Sequence, residues 1–258
     1  MSAEPRPGDK FLLFNGRSTA VQIPSRPGYS QPTHNGLTVS AWVRRDVADF
    51  PHFEQNHYVH WMGKGEGVGA TGKQEWVCRM YGEHTNPDDH RPDRISFYIF
   101  NPDGHRGTGS HVQEPIRMHP LEWIHIVGMA DSGCTHLFKN GVFKDCDIYR
   151  ASEAAKCVAH PGQRPCNHSS DPVVPVAGDA PLKLGSVDGH SYFLGGITKV
   201  RIWSRVLTDN EIRELYENDI VPRHHLAAEF LLNADTGNVA VDQLGNNGVI
   251  SHGVWAKV

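Results

Sequence analysis

The 258-residue chain has no apolar run that approaches the ~18 residues needed for a membrane-spanning helix. Its start, MSAEPRPGDK, lacks the apolar core of a signal peptide. The formal charge is only −4, and no basic stripe is present. We therefore expect no membrane insertion and no nucleic-acid partner, whereas a cytoplasmic location and a mature secreted chain both stay open.

Several catalytic and metal-binding signatures are also missing. The chain has no C-x-x-C or H-E-x-x-H spacing, and no pair among its 17 histidines has metal-ligand spacing. It has no G-x-S-x-G nucleophile elbow. Two-carboxylate hydrolases need paired carboxylates across a cleft, but Glu66 and Glu75 are isolated. These absences predict no metal site and make a hydrolase one of the less favoured functions.

The cysteines are few and odd in number, so at least one thiol stays unpaired. The five are Cys78, Cys134, Cys146, Cys157 and Cys166. Cys157 and Cys166 flank a short loop that a disulfide would close in an oxidising compartment. The alternative, in which all five cysteines are reduced, stays open.

The chain is rich in short runs in which apolar and polar residues alternate, which is the pattern of β-strands. These runs are 10–16, 20–25, 37–45, 57–63, 75–82, 94–101, 112–118, 123–131, 136–143, 182–187 and 195–203. Thr208 and Glu211 have the spacing of a capping box and predict one short helix. Residues 102–111 and 144–180 break the spacing and are predicted to be long loops. Many short strands of this kind indicate a sandwich or barrel.

Several segments, in order, resemble the laminin-G-like members of the concanavalin A-like lectin/glucanase jelly rolls. They are FNGRSTAVQIPS (14–25), LTVSAWVRR (37–45), WMGKGE (61–66), WIHIVGMAD (123–131), LFKNGVF (137–143) and YFLGGITKVRIWSRVLTDNEIRELYEN (192–218). The resemblance implies an all-β jelly-roll sandwich of two antiparallel sheets with one short helix near 208–218. It further implies a single domain over 1–258, with an insertion at about 144–180. Because residues 229–255 resemble a segment that often precedes the opening strand, we expect 226–258 to pack beside the N-terminal strands.

The family commonly binds carbohydrate, protein or other surface ligands, and many members hold calcium through aspartates in the opening and closing strands. The corresponding positions in this chain are Asn15, Thr19 and Thr198, which carry no carboxylate. A separate acidic loop, which includes Asp88 and Asp93, is interpreted as a solvated loop. We therefore expect no cofactor, with calcium as the one ion worth testing.

Strand parity predicts the candidate site, because alternate residues of a strand face opposite sides of a sheet. If Val59 and Trp61 face the core, Tyr58 and His60 face outward. The same alternation in the runs 75–82 and 94–101 places further polar and aromatic residues on this concave outer face. The predicted binding residues are Arg79, Arg94, His60, Tyr58 and Lys64, and Tyr81 and Tyr98 lie on the same face. Because arginines bind carboxylates, this set predicts recognition of a glycan, with acidic polysaccharide as the preferred ligand.

Two alternatives remain open from the residues. His60, Tyr81 and Tyr98 would be the acid and base of a polysaccharide lyase that removes a proton beside a uronate. A protein-binding, adhesion-like module would instead use the sheet edges or rim loops. Enzyme and binding module are not distinguished by the sequence, and an ordinary hydrated sheet face would contain similar residues.

Overall fold

Two β-sheets packed face to face make up the computed structural model. It describes residues 3–31, 36–54, 57–65, 74–85, 90–101, 107–158, 160, 162, 165–168 and 173–258. The strands are antiparallel except for a two-residue parallel pairing at one edge. The predicted all-β jelly-roll sandwich of two antiparallel sheets with one short helix is therefore confirmed.

The two sheets are named A and B. Sheet A contains, in spatial order, β11 (Asn167–His168), β10 (Val142–Ile148), β9 (Cys134–Lys139), β8 (Trp123–Ala130), β3 (Leu37–Arg45), β13 (Leu194–Trp203), β1 (Lys10–Asn15) and β17 (Val254–Lys257), and β14 (Leu226–Phe230) also pairs with β13. Sheet B contains β15 (Val239–Ala240), β16 (Gly248–Ser251), β2 (Ala20–Ile23), β12 (Leu182–Leu184), β4 (Tyr58–Lys64), β5 (Trp76–Tyr81), β6 (Arg94–Phe100) and β7 (Gly107–Gln113).

The main core lies between the sheets and follows the predicted alternation. In β5, Trp76, Cys78 and Met80 are fully buried and belong to this core. Burial of large apolar side chains contributes about 1.5–3 kcal/mol each, so this core is the main stabilising feature of the sandwich. The residues between them face outward, as the parity argument requires.

A β-bulge changes the parity in β4. The register with β5 shifts between His60 and Met62, so that Trp61 and Met62 both pack into the core. Beyond the bulge Lys64 occupies an inward position and is fully buried. Lys64, predicted to be a binding residue, therefore lies inside the sandwich, because a bulge inserts one residue and reverses the alternation after it.

The helix, α1 (Asp209–Asn218), begins as predicted. The Glu211 N–H donates to the Thr208 hydroxyl over 3.2 Å, and the Thr208 N–H donates to the Glu211 carboxylate over 2.9 Å. Ile212 and Leu215 are buried in a second apolar cluster on the outside of sheet A, next to Trp203. No helix in the described part of the chain is long and apolar enough to cross a membrane.

The boundaries of β7 and β10 were predicted incorrectly. β10 runs to Ile148, inside the segment 144–180 that was expected to be a loop. Residues 107–113 form β7, whereas a loop was expected at 102–111 and a strand at 112–118. Residues 102–106 lie outside the described residues. Glycine is needed within β7 because a Cβ on Gly107 would overlap the Phe100 ring, and a Cβ on Gly109 would overlap the carbonyl of Phe97. A strand with little alternation of its own therefore forms under the aromatic residues of β6.

Two disulfides cross-link the 144–180 region to the hairpin of β9 and β10. They join Cys134 to Cys157 and Cys146 to Cys166, and Cys78 is a buried free thiol. The sequence left two alternatives open, a Cys157–Cys166 bridge and five reduced cysteines, and the structure has neither. Cys134 and Cys146 lie on neighbouring strands, so the segment that returns across the hairpin is bonded to each strand instead of to itself.

The C-terminal residues complete both sheets. In sheet A, β17 pairs with β1 through Leu12 and Trp255, while in sheet B, β16 pairs with β2 through Val21 and Ile250. Within residues 226–258, β17 and β16 thus pair with the N-terminal strands β1 and β2, whereas β14 pairs with β13. The assignment of one domain to 1–258 remains a prediction.

Candidate functional site

Six of the seven predicted side chains lie together on the outer face of β4, β5 and β6. They are Tyr58, His60, Arg79, Tyr81, Arg94 and Tyr98. The register pairs Tyr58 with Tyr81 and His60 with Arg79. On β6, Arg94 and Tyr98 have the parity opposite to that of the core residues. The sheet therefore brings into one patch residues that are up to 40 positions apart in the chain.

Arg79 is held between two aromatic rings. Its guanidinium carbon lies 4.6 Å from the centroid of the Tyr58 ring and 4.5 Å from that of Tyr98, and Phe100 adds a third ring at 5.5 Å. Each such cation–π contact contributes about 0.5–2 kcal/mol, depending on solvent exposure. We call Tyr58, Arg79 and Tyr98 the aromatic clamp. All three residues are partly exposed, so the clamp is open to solvent.

His60 fixes the orientation of Arg79 from below. The Nε–H of Arg79 donates to Nε2 of His60 over 3.0 Å, and Nδ1 of His60 lies 2.6 Å from an Asp188 oxygen. An arginine Nε–H is always a donor, so Nε2 must accept and Nδ1 must carry the proton. The histidine is therefore held in one neutral tautomer. Burial lowers the pKa of His60 to about 4. The hydrogen bond that His60 donates to Asp188 opposes this shift, and the charge of Arg79 adds to it.

Asp188 is the buried anion at the base of this chain. It accepts hydrogen bonds from the Ser191 hydroxyl and from the N–H groups of His190 and Ser191, each over 2.7 Å. Burial alone would raise the pKa of this carboxyl, but the hydrogen bonds from His60 and Ser191 outweigh it and hold the pKa far below its usual range. Asp188 therefore stays ionised and fixes the proton on His60.

Glu54 is a second carboxyl beside the clamp. Burial, repulsion from Asp188 and a hydrogen bond shared with Asp188 raise the pKa of Glu54, while His190 and Arg79 lower it less. The two carboxyls therefore have pKa values displaced in opposite directions. In the pH range between the two pKa values, Glu54 holds a proton beside the ionised Asp188.

Tyr81 and Arg94 lie deeper and support the clamp. Tyr81 is fully buried, and its hydroxyl has no hydrogen-bond partner among the described residues. The Arg94 guanidinium carbon lies 5.8 Å from the Tyr81 ring, and one of its terminal nitrogens is 3.4 Å from the Tyr98 hydroxyl. Arg94 is only 8% exposed, so it reaches solvent far less than Arg79 does.

Lys64 lies in the interior and has different partners. Its Nζ forms a buried ion pair with the Glu75 carboxylate and donates to the carbonyl of Gly178 over 2.7 Å. The Gly178 N–H in turn donates to Glu75 over 3.0 Å. Lys64 and Glu75 are thus a structural pair that anchors the backbone at residue 178.

The positions compared with the family's calcium ligands do not converge. The Asn15 side-chain oxygen accepts from the N–H groups of three residues in its own turn, Arg17, Ser18 and Thr19. The Thr198 hydroxyl donates to the carbonyl of Leu231. Asn15 pairs with Leu194, so Thr198 lies four residues further along the strand, about 13 Å away. The three positions therefore do not form one set of ligands.

Two other groupings bear on metal binding. Of the acidic loop, Asn86, Asp88 and Asp89 lie outside the described residues, and Asp93 forms an ion pair with Arg45 at 2.6 Å. In the part of the chain that is described, one cluster has ligand-type atoms close together: Asp131, Cys134 and His136. Its sulfur is in a disulfide, so the thiolate that would bind a metal is not present.

Sequence reasoning missed Asp188, Glu54 and Ser191. Asp188 is 128 residues from His60, and only the folding of 186–191 over the outer face of sheet B brings the two together. The one local signal is the turn sequence Asp188-Gly189-His190-Ser191, in which the aspartate caps its own turn. That signal predicts a turn but does not predict a histidine partner.

The chain was compared with known proteins. No family model and no curated protein matches it. Among solved structures, a protein from Bacteroides ovatus that has been assigned to carbohydrate binding is similar, with a TM-score of 0.61 and 16% identity. That match covers 99% of this chain and 61% of the Bacteroides protein, so this chain spans about three fifths of its length. A heptameric SAP-like pentraxin from Limulus polyphemus has a TM-score of 0.54 and 11% identity, with 96% and 95% of the two chains covered.

These similarities define the class of fold. At such low identity they show a lectin-like jelly-roll sandwich and nothing about the ligand. Any function must be argued from the clamp and its surroundings.

Proposed function

We propose that the protein binds a glycan that carries a carboxylate, and that the aromatic clamp is the binding site. The observation that supports this proposal most directly is the set of partners of the Arg79 guanidinium. The Nε–H of Arg79 donates a hydrogen bond to His60. Its two terminal nitrogens form no ion pair with a carboxylate among the described residues, and the guanidinium lies against the rings of Tyr58 and Tyr98. A planar guanidinium presents these nitrogens as a fork that matches a carboxylate.

The rings of the clamp suit the rest of a sugar. Tyr58 and Tyr98 hold the guanidinium in place, and their partly exposed edges offer apolar surface with hydroxyl groups. The arginine is fixed before binding, so little side-chain entropy is lost when the ligand arrives. The similarity to a structure assigned to carbohydrate binding is consistent with this proposal.

The geometry favours binding over β-elimination. For His60 to remove a proton from a ligand, its Nε2 would first have to release Arg79, and the ring is fully buried. The Tyr81 hydroxyl is likewise buried. Of these two predicted lyase residues, His60 positions Arg79 and Tyr81 packs against the Tyr58 ring. The third, Tyr98, is partly exposed at the ligand-facing surface.

The test is a glycan array of neutral, uronate-containing and sulfated oligosaccharides, followed by calorimetry with the best ligand. Arg79→Ala should weaken uronate binding about tenfold or more, because a charged hydrogen-bonding group is worth about 1.5–3 kcal/mol. Arg17→Ala, at an exposed arginine, is the matched control and should change nothing. Uronate affinity that survives Arg79→Ala would refute the site. Absorbance from an unsaturated uronate product would instead support the lyase.

A further inference from the structure

A second cleft lies on the same outer face of sheet B, at its opposite end. It has a volume of about 620 Å³ and is built on β2 and β16. Gln22, Val249 and Ser251 form its floor, and Pro24 and Pro181 form its walls. Val249 is 59% exposed, so the floor offers apolar surface that no described residue covers. We call it the β2–β16 cleft.

The lining of this cleft is chemically different from the clamp. Gln22 and Asn247 supply amides and Asp179 supplies a carboxylate, while no lysine, arginine or histidine lines it within the described residues. Amide and carboxylate oxygens accept hydrogen bonds from hydroxyl groups, and apolar side chains pack against C–H groups. Without a cation, the cleft has no anchor for an anionic group. The lining therefore suits a neutral ligand rich in hydroxyls.

A buried anchor holds one wall of the cleft. Lys64 donates to the carbonyl of Gly178, and Glu75 accepts from the N–H of the same residue. Asp179 and Pro181 follow directly and line the cleft. The ion pair thus fixes the backbone of the wall before any ligand binds, which reduces the ordering cost of binding.

The cleft and the clamp are aligned across the sheet. Cross-strand pairing runs in one row through Val249, Gln22, Lys183, Gly63, Val77 and Tyr98. Gln22 and Tyr98 are four strand spacings apart, which is about 19 Å. Val187 packs on Gly63 between them, so a ridge separates two sites that face the same way.

We infer that the β2–β16 cleft binds a neutral saccharide segment of the same glycan whose carboxylate the clamp holds. This inference rests on the proposed function of the clamp. It specifies the ligand as a heteropolysaccharide in which charged units are separated from neutral units by several sugars. Two weak sites joined by one ligand bind far more tightly than either alone.

The experiment uses neutral oligosaccharides of glucose, xylose, mannose, galactose and arabinose, together with uronate oligosaccharides. Binding is measured by calorimetry and by NMR of the valine methyl groups. At least one neutral oligosaccharide should shift the Val249 methyl signals. Val249→Asp should weaken its binding about tenfold, which corresponds to about 1.4 kcal/mol. Val254→Asp is the matched control, because Val254 is 58% exposed on sheet A.

A further variant and the clamp variant separate the outcomes. Gln22→Ala changes an exposed side chain and should also weaken the binding of neutral oligosaccharides. It therefore tests the cleft even if Val249→Asp does not fold. Arg79→Ala should leave the binding of neutral oligosaccharides unchanged and weaken uronate binding about tenfold or more. If no neutral oligosaccharide shifts Val249, or if Val249→Asp and Gln22→Ala both bind normally, the cleft inference is overturned. If neutral binding maps to the cleft but uronates do not bind, the clamp proposal fails instead.

Discussion

The Nε–H of Arg79 donates to Nε2 of His60 over 3.0 Å, and this contact determines both the tautomer of the histidine and the direction of the guanidinium. Asp188 completes the arrangement from the other side of the ring. A buried histidine is thereby used to position a cation that faces solvent. The functional importance of His60 is therefore predicted to be indirect.

Replacing His60 with leucine should weaken uronate binding less than Arg79→Ala does, by about threefold to tenfold, or about 0.7–1.4 kcal/mol. It should also lower the free energy of unfolding by about 1–3 kcal/mol, because Asp188 would lose a buried partner. His60→Gln can donate to Asp188 and accept from Arg79, and it should restore binding. Calorimetry and urea unfolding measure the two effects. Equal affinity in His60→Leu and the wild type would contradict a positioning role.

Glu54 should make anion binding depend on pH. Because the pKa of Glu54 is raised, its carboxyl is neutral at low pH and becomes negative as the pH rises through that pKa. Uronate affinity should therefore fall as the pH increases over this range. Glu54→Gln should flatten the profile, while Glu83→Gln, at an exposed glutamate, should leave it unchanged. A profile that is identical in Glu54→Gln and the wild type would exclude this carboxyl.

His125 should limit stability in acid. It is fully buried beside Trp42, and burial, followed by the charge of Arg201, lowers its pKa to about 3. The unfolded chain takes up this proton near pH 6.5, so stability is lost as the pH falls below ~6.5, by roughly 3 kcal/mol at pH 4. The measurement is Tm as a function of pH. His125→Phe should reduce the fall of Tm in acid, whereas His224→Phe, at an exposed histidine, should not.

The two disulfides predict how many thiols react before and after reduction. In denaturant without reductant, one thiol per chain, that of Cys78, should react, and five should react after reduction. The bridges close loops of 23 and 20 residues, so each should contribute about 3 kcal/mol. Reduction should therefore lower Tm markedly. More than one reactive thiol before reduction would contradict the assigned pairing.

Lys64 is expected to contribute to stability and not to uronate binding. Lys64→Met would leave the Glu75 charge buried and unpaired, which costs about 3–5 kcal/mol. The double variant Lys64→Met, Glu75→Met should recover most of this loss. Uronate affinity at the clamp should stay unchanged wherever the variant is folded. A selective loss of uronate binding would restore Lys64 to the binding residues.

The sequence predicts the sandwich and most of the candidate face because alternation in β5 and β6 depends on local patterning against the core. It does not predict the bulge at Trp61, since both sides of the bulge contain residues that fit either face. The loss of alternation after it explains why Lys64, a predicted binding residue, lies inside the sandwich instead. Local patterns are reliable only where the pairing is regular.

Features that depend on distant parts of the chain are not predictable in this way. The strand at Gly107 exists because aromatic residues of β6 lie over it. The partner of His60 comes from residue 188, and the partner of Cys134 comes from residue 157. In each case the pairing follows from the tertiary fold, so no periodicity in the sequence indicates it.

The pairing of β17 with β1 and of β16 with β2 has a consequence for synthesis. Until residues 239–257 have left the ribosome, β1 and β2 both expose unpaired backbone edges, one in each sheet. The backbone hydrogen bonds at these edges of β1 and β2 therefore form only after residues 239–257 have been translated. A nascent chain stalled before residue 239 would be prone to edge-to-edge association, and chaperones would be most needed until residues 239–257 emerge.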